Sequence, residues 1–169
     1  MKPKTNELSV LMAVLALFPA VSFADNRAGG EGTTTNVTIG NTCDENTDIW
    51  NILESEILTT TTASNCIVTA CSDIGNNSVN TDNAYNFAIS LDDTSPGLNT
   101  VSERSLEINN NANVNDPSVW PVCSTRFLPA VTAGTHTIYW LACKQNALSP
   151  NQVANDTTMT IGCFNGSEL

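Results

Sequence analysis

The sequence predicts an all-β fold, an antiparallel β-sandwich of seven to eight strands, jelly-roll-like and disulfide-bonded. Three observations predict it. Charged residues make up only 14% of the 169-residue chain, and asparagine, threonine and serine supply most of its polarity, side chains that favour turns and strand faces over helix interiors. Short β-prone runs alternate with clusters of Asn, Asp, Gly and Pro, without the long helical segments that βαβ units require. The six cysteines, Cys43, Cys66, Cys71, Cys123, Cys143 and Cys163, are an even number, which reads as three disulfides in an exported chain.

Export is read from residues 1–24, which have the parts of a signal peptide in order. Lys2 and Lys4 give a positive start, and Ser9 to Phe18 an apolar run too short to cross a bilayer core of about 30 Å. Pro19 breaks the run, and Ser22 and Ala24 are the small residues a signal peptidase reads. Cleavage is expected between Ala24 and Asp25, leaving 169 − 24 = 145 residues, secreted or periplasmic, with no further stretch suited to membrane insertion. Loss of Lys2, Lys4 and Glu7 takes 6 basic and 17 acidic residues to 4 and 16, a formal charge of −12. Such a surface repels phosphate backbones and anionic headgroups, so nucleic acid and membrane surfaces are excluded as partners. A protein or a glycan is the expected partner class.

The elements follow in order. Residues 25–35 read as a flexible polar leader, and 36–63 as an N-terminal extension ahead of a sandwich domain at 64–169. Within the extension, Asn36 to Ile39 is a short strand. Asp48 to Leu58 reads as a short helix or turn, because Ile49, Trp50, Ile52, Leu53 and Ile57 fit a helical face. In the domain, Asn65 to Ser72 is rich in β-formers, and Ala84 to Leu91 alternates Tyr85, Phe87 and Ile89 against Asn86, Ala88 and Ser90. A proline–glycine turn at Asp92 to Gly97 leads to a strand at Val101 to Ile108, whose apolar phase changes near its end as a bulge would change it. After an asparagine-rich loop come Val119 to Leu128, Thr135 to Lys144 and finally Thr157 to Phe164.

The spacing of the cysteines favours disulfides over zinc, since no close C-x-x-C pair is present. If the strands around Cys123 and Cys143 form a hairpin turning about Ala133, their paired residue numbers share a constant sum. That register sets Cys123 opposite Cys143 and predicts a cross-strand bridge between them.

The run Ala133-Gly134-Thr135-His136-Thr137-Ile138-Tyr139-Trp140, with Ser124-Thr125-Arg126-Phe127 and the Tyr85-Asn86-Phe87 strand before it, resembles small secreted bacterial β-sandwich proteins of unassigned function. More distantly, it is similar to the jelly-roll heads of the complement and tumour-necrosis-factor class, over roughly Ser64 to Phe164. The aromatic-glycine-aromatic ending of the complement pattern is absent, so the resemblance implies no trimer and carries over no functional residue. Jelly rolls place first and last strands side by side. That implies a bridge from Cys163 to Cys66 or Cys71, which point to opposite faces, with the remaining one joined to Cys43.

Candidates for chemistry are few. His136 is the only histidine, no nucleophile elbow accompanies it, and its expected role is to hydrogen-bond loop backbone at the entrance of a strand. No catalytic residue and no cofactor are assigned. Calcium is the one candidate ion, through Asp92, Asp93 and Glu103 if hairpin pairing brings them together, with solvated turn charges the plainer reading. Trp140 alternates with Ile138 and Ala142 and belongs to the core. Trp120, beside Pro121, and Tyr85 are the candidate sugar-stacking residues, although burial or rim packing is the ordinary fate of tryptophan. The sequons at Asn36, Asn76, Asn155 and Asn165 are expected by chance in such a composition. The sequence therefore points to an exported, non-enzymatic structural or interaction module. A carbohydrate- or calcium-assisted binding module is the alternative, and a carboxylate-dependent hydrolase comes third.

Overall fold

A computed structural model describes residues 26–29, 36–44, 47–75, 83–97, 103–108, 119–145 and 151–165. The signal peptide read at residues 1–24, the sequon at Asn76 and the asparagine-rich loop read at Asn109 to Pro117 fall outside them. Among the described residues every regular element is a strand, and seven long strands form two antiparallel sheets. In the first sheet β6 (Ser64–Gly75) lies between β9 (Val119–Val131) and β11 (Gln152–Asn165), and the other edge of β11 carries the short β1 (Asn26–Gly29) and β2 (Val37–Ile39). The second sheet runs β5 (Asn51–Thr60), β10 (Gly134–Lys144), β7 (Asn83–Leu91), β8 (Glu103–Ile108). A small pair, β3 (Cys43–Asp44) with β4 (Thr47–Asp48), precedes β5.

Alternation explains how the sheets meet. Cys66, Val68, Ala70 and Ile74 of β6, Val122 and Leu128 of β9, and Met159 and Ile161 of β11 face Tyr85, Phe87 and Ile89 of β7 and Ile138, Trp140 and Ala142 of β10. Phe87 stacks on Trp140 with ring centroids 5.6 Å apart. The Trp140 indole N–H donates across the interface to Ser72 Oγ at 2.8 Å, and Ser72 donates to Thr157 Oγ1 at 3.2 Å. This short chain satisfies polar atoms whose unpaired burial would cost about 1–3 kcal/mol each.

Two expectations fail for one reason. Two short links cross between the sheets side by side, from β5 to β6 through residues 61–63 and from β9 to β10 through Thr132 and Ala133. Thr60 Oγ1 donates to Thr132 O at 2.6 Å, and the N–H of Ala130, at φ 51°, donates to Asn65 Oδ1 at 3.0 Å. Gly134, at φ 145°, completes the corner. β9 and β10 are therefore not a hairpin, and the predicted Cys123–Cys143 bridge is replaced by Cys71–Cys123 and Cys43–Cys143. Cys66 bonds Cys163, one of the two options read for the last strand, while the complementary Cys71–Cys43 link does not occur. No cysteine is free.

The helix read at Asp48 to Leu58 is instead strand β5. A register shift opposite Trp140 and Leu141 inserts one extra residue, Leu53, which is buried, as are Leu58 and Thr60 beyond it. A bulge of this kind turns a period of two into an apparent helical period. Residues 36–63, read as an extension outside the sandwich, supply β2 and β5, one to each sheet. Asn26 to Gly29 of the expected flexible leader pairs with Cys163 to Thr160 of β11.

A second buried layer covers the outer side of the second sheet, where Trp50 and Cys43 pack on Ala88, Leu141 and Cys143. The Trp50 indole N–H donates to Pro96 O at 2.9 Å, which pins this cover down with the Cys43–Cys143 bridge. Hence both faces of β10 are apolar.

Candidate functional site

The residues singled out by sequence do not converge. Tyr85 is fully buried in the core, where burial pushes its phenol upward and a hydrogen bond to Gln152 opposes that shift, so it cannot stack on a ligand. Trp120 is 42% exposed and pairs in register with Ile74 of β6. Asp92 follows β7 at φ 56° and spends both carboxylate oxygens within the protein. Its Oδ1 accepts the Thr137 N–H at 2.7 Å, and its Oδ2 lies 2.6 Å from His136 Nδ1. Asp93 Oδ1 accepts the Ser95 N–H at 2.8 Å. Glu103 is in register with Ala88, four residues from Asp92, which at strand rise is about 13 Å along the sheet. β7 and β8 do pair antiparallel, but in a register that sets Glu103 beside Ala88 and away from the Asp92–Asp93 turn. Among the described residues no group of three or more His, Cys, Asp or Glu side chains is placed to hold a metal.

His136 does hydrogen-bond loop backbone, its Nε2 lying 2.9 Å from Thr132 O, but the sequence did not reveal its second partner. A carbonyl on one side and a carboxylate on the other call for N–H donors at both ring nitrogens, the imidazolium form. Asp92 first and the Thr132 carbonyl second raise the histidine above its usual value, while the hydrogen bond to His136 is the main cause holding Asp92 low. A ring engaged at both nitrogens is a clamp on the β9–β10 corner.

Two carboxylates that the sequence reading overlooked, Glu54 and Glu56, sit two apart on β5. Glu56 is raised chiefly by partial burial and secondarily by Glu54.

What the fold does assemble is the outer face of the first sheet. There the register sets Gly162, Ile67 and Phe127 in one row across β11, β6 and β9, and Thr160, Thr69 and Thr125 in the next. A third row holds Thr158, Cys71 and Cys123. Phe127 and Phe164 stack at 6.4 Å between centroids across the intervening strand. Phe127 is 49% and Ile67 46% exposed, although both lie on a strand whose alternate residues are buried. Thr69 and Thr125 join their hydroxyls at 3.0 Å. A Cβ added at Gly162 would meet nothing within 4 Å, so this position leaves a shallow dip beside Ile67. Asp73, in register with Pro121, brings a carboxylate to this face. The signal for this site was legible as parity: Phe127 falls in phase with Cys123 and Thr125, opposite to Val122 and Leu128.

No family model matches the chain, and no curated protein matches it. Among solved structures, it is similar to the EclA C-terminal domain, a sugar-binding protein, at 11% identity and TM-score 0.41 over 77% of this chain and 80% of that one. It is also similar to dimeric latent PorU from Porphyromonas gingivalis, at 10% identity and TM-score 0.42 over 85% of this chain and 12% of that one.

Proposed function

We propose that this chain is an exported, non-enzymatic interaction module, secreted or periplasmic, that binds a glycan on the outer face of its first sheet. The observation that carries this reading is the ring pair of exposed Phe127 and half-buried Phe164 beside a row of threonine hydroxyls on one pleated surface. A pyranose presents an apolar C–H face and a rim of hydroxyls, so it stacks on a ring and hydrogen-bonds the row beside it. Adjacent strands stand about 4.8 Å apart, which spaces Thr160, Thr69 and Thr125 for successive hydroxyls of one sugar unit or two. Aromatic contact area on two stiff torsions is gained at small entropy cost, which is why such rings serve as anchors. Three disulfides fit an oxidising compartment outside the cytoplasm.

A glycan array probed with the mature protein, with and without calcium, tests the reading. Binding should appear, persist in chelator, and fall at least about tenfold in Phe127→Ala, the scale of one lost hot-spot ring. Gly162→Val, which fills the dip and suits a strand, should weaken binding while leaving the fold intact. Binding that survives both substitutions, or no binding to any neutral or acidic glycan, would overturn the proposal.

A further inference from the structure

The three disulfides differ in what lies around them. Cys43 and Cys143 are buried under the Trp50 cover, and Cys66 lies in the core with Cys163 packed against it. Cys71 and Cys123 instead sit on the outer face of the first sheet, with Cys123 exposed and Cys71 half-buried. Their Cα atoms are 4.1 Å apart, the close approach of a non-hydrogen-bonded antiparallel pair. The N–H and C=O of Cys123 therefore point away from β6, toward the edge of the sheet, where no described strand pairs with β9.

That edge position matters for chemistry at sulfur. A thiolate attacks a disulfide along the extension of the S–S bond, so the sulfur it reaches must be open on the side opposite its partner. At Cys123 the extension leaves β6 and passes over the unpaired edge of β9. At Cys71 it runs toward Thr158 on β11. For the Cys66–Cys163 bridge, both extensions run over paired strands, toward Leu128 on β9 and Asn26 on β1.

We infer that Cys123 is a covalent modification site, the one sulfur among the described residues placed to accept a thiol from solution. The thiolate bonds to Cys123 Sγ, the S–S bond breaks, and its electron pair leaves on Cys71, which then takes a proton. The product is a mixed disulfide at Cys123 and a thiol at Cys71. A second thiol equivalent resolves the mixed disulfide, releasing the oxidised small molecule and completing a two-electron reduction. β9 stays in place through its ladder to β6, so the modified chain remains folded, with its adduct two residues from Thr125. The charged side chain nearest along this face is Asp73, two residues from Cys71, which disfavours anionic thiols. Arg126, the basic residue of β9, is turned inward onto the Ile89 carbonyl and cannot offset it.

The experiment uses the oxidised, full mature protein with cysteamine as the thiol, acid quench, alkylation and peptide mapping over time. The expected early product carries cysteamine on Cys123 and the alkyl group on Cys71, forming at least about tenfold faster than opening of either other bridge. Glutathione, with its net negative charge, should react more slowly at low salt and approach cysteamine at high salt. Adduct on Cys71 in place of Cys123, or opening of Cys66–Cys163 or Cys43–Cys143 at an equal rate, would overturn the assignment. Circular dichroism of the mapped sample distinguishes local exchange from exchange through unfolding, which would expose all three bridges together.

Discussion

Replacing Asp92 by Asn tests the clamp at the β9–β10 corner. Asparagine tolerates the φ of 56° and can still accept the Thr137 N–H, so the substitution removes charge while keeping shape. Its amide N–H₂ then meets His136 Nδ1, which accepts as a neutral ring whose Nε2–H still donates to Thr132 O. The perturbation is thus confined to the ion pair. With the Asp92 side chain 50% exposed and that of His136 13%, solvent screening limits the pair to about 0.5–1 kcal/mol. In a chain of this size that is about 2–4 °C in Tm. The direction with pH follows from the two shifts. The raised histidine contributes fully below its unfolded value of 6.5 and loses that contribution as pH rises through its folded value. The lowered aspartate contributes above its unfolded value of 3.8 and loses it as pH falls through its folded value. Wild type should therefore exceed Asp92→Asn in Tm most between about pH 4 and 6.5, with the gap closing on both sides. Calorimetric scans of both proteins across that range are the assay. A gap that is the same at about pH 5 and about pH 9, or that grows with alkalinity, would refute the imidazolium assignment.

Three further outcomes are expected. Trp140→Phe removes the donor to Ser72 and opens a cavity beside Phe87, and urea denaturation should show a loss of about 2–4 kcal/mol with an unchanged m-value. Replacing both Cys43 and Cys143 by Ala opens a loop with sequence separation 100, for which chain entropy gives about 4–5 kcal/mol. Its guanidinium midpoint should fall accordingly, and a change under about 1 kcal/mol would mean that the Trp50 cover holds without the bridge. The mature protein should show no turnover on ester, peptide or glycoside panels, because Asp92 and His136 are engaged with each other and with backbone at the β9–β10 corner. A robust activity abolished by replacing Asp92, Asp93 or Glu103 would sink the non-enzymatic reading.

The strands with one buried and one solvated face were legible in the sequence. In β6, Cys66, Val68 and Ala70 alternate with more exposed neighbours, and the reading that Cys66 and Cys71 point to opposite faces holds. Where a second constraint was superimposed on the period, the pattern misled. The extra residue in β5 imitated a helix, and the Trp50 cover made the outer side of β10 as apolar as the inner. The link at Thr132 and Ala133 was ambiguous in a deeper sense. A two-residue turn between long strands serves a hairpin or a change of sheet equally well. In either case Ile138 and Trp140 face the core together with Leu128. Only long-range pairing of β9 with β6 and of β10 with β5 and β7 decides, and no local pattern encodes it. The candidate surface was half visible: the parity of Phe127 could be read, but its neighbours Ile67 and Phe164 come from strands brought together by that same pairing.

The distribution of cross-links bears on why that surface suits recognition. None of the three bridges joins one sheet to the other. Cys66–Cys163 and Cys71–Cys123 tie β11, β6 and β9 together from opposite sides of the first sheet, and Cys43–Cys143 fastens the cover to the second. The sheets themselves are held by the apolar core and by a few polar crossings, the Trp140 indole on Ser72 and the Arg126 guanidinium on the Ile89 carbonyl. A sandwich that needed only global stability would gain as much from a bridge across its core, since loop closure in the unfolded chain depends on sequence separation and not on which layers are joined. Two bridges within a single sheet do something else: they fix the lateral spacing and pleat of the rows that hold Thr69, Thr125, Ile67 and Phe127. A ligand lying across those rows then meets groups already in place, and the ordering cost that ordinarily subtracts from affinity has been met in folding.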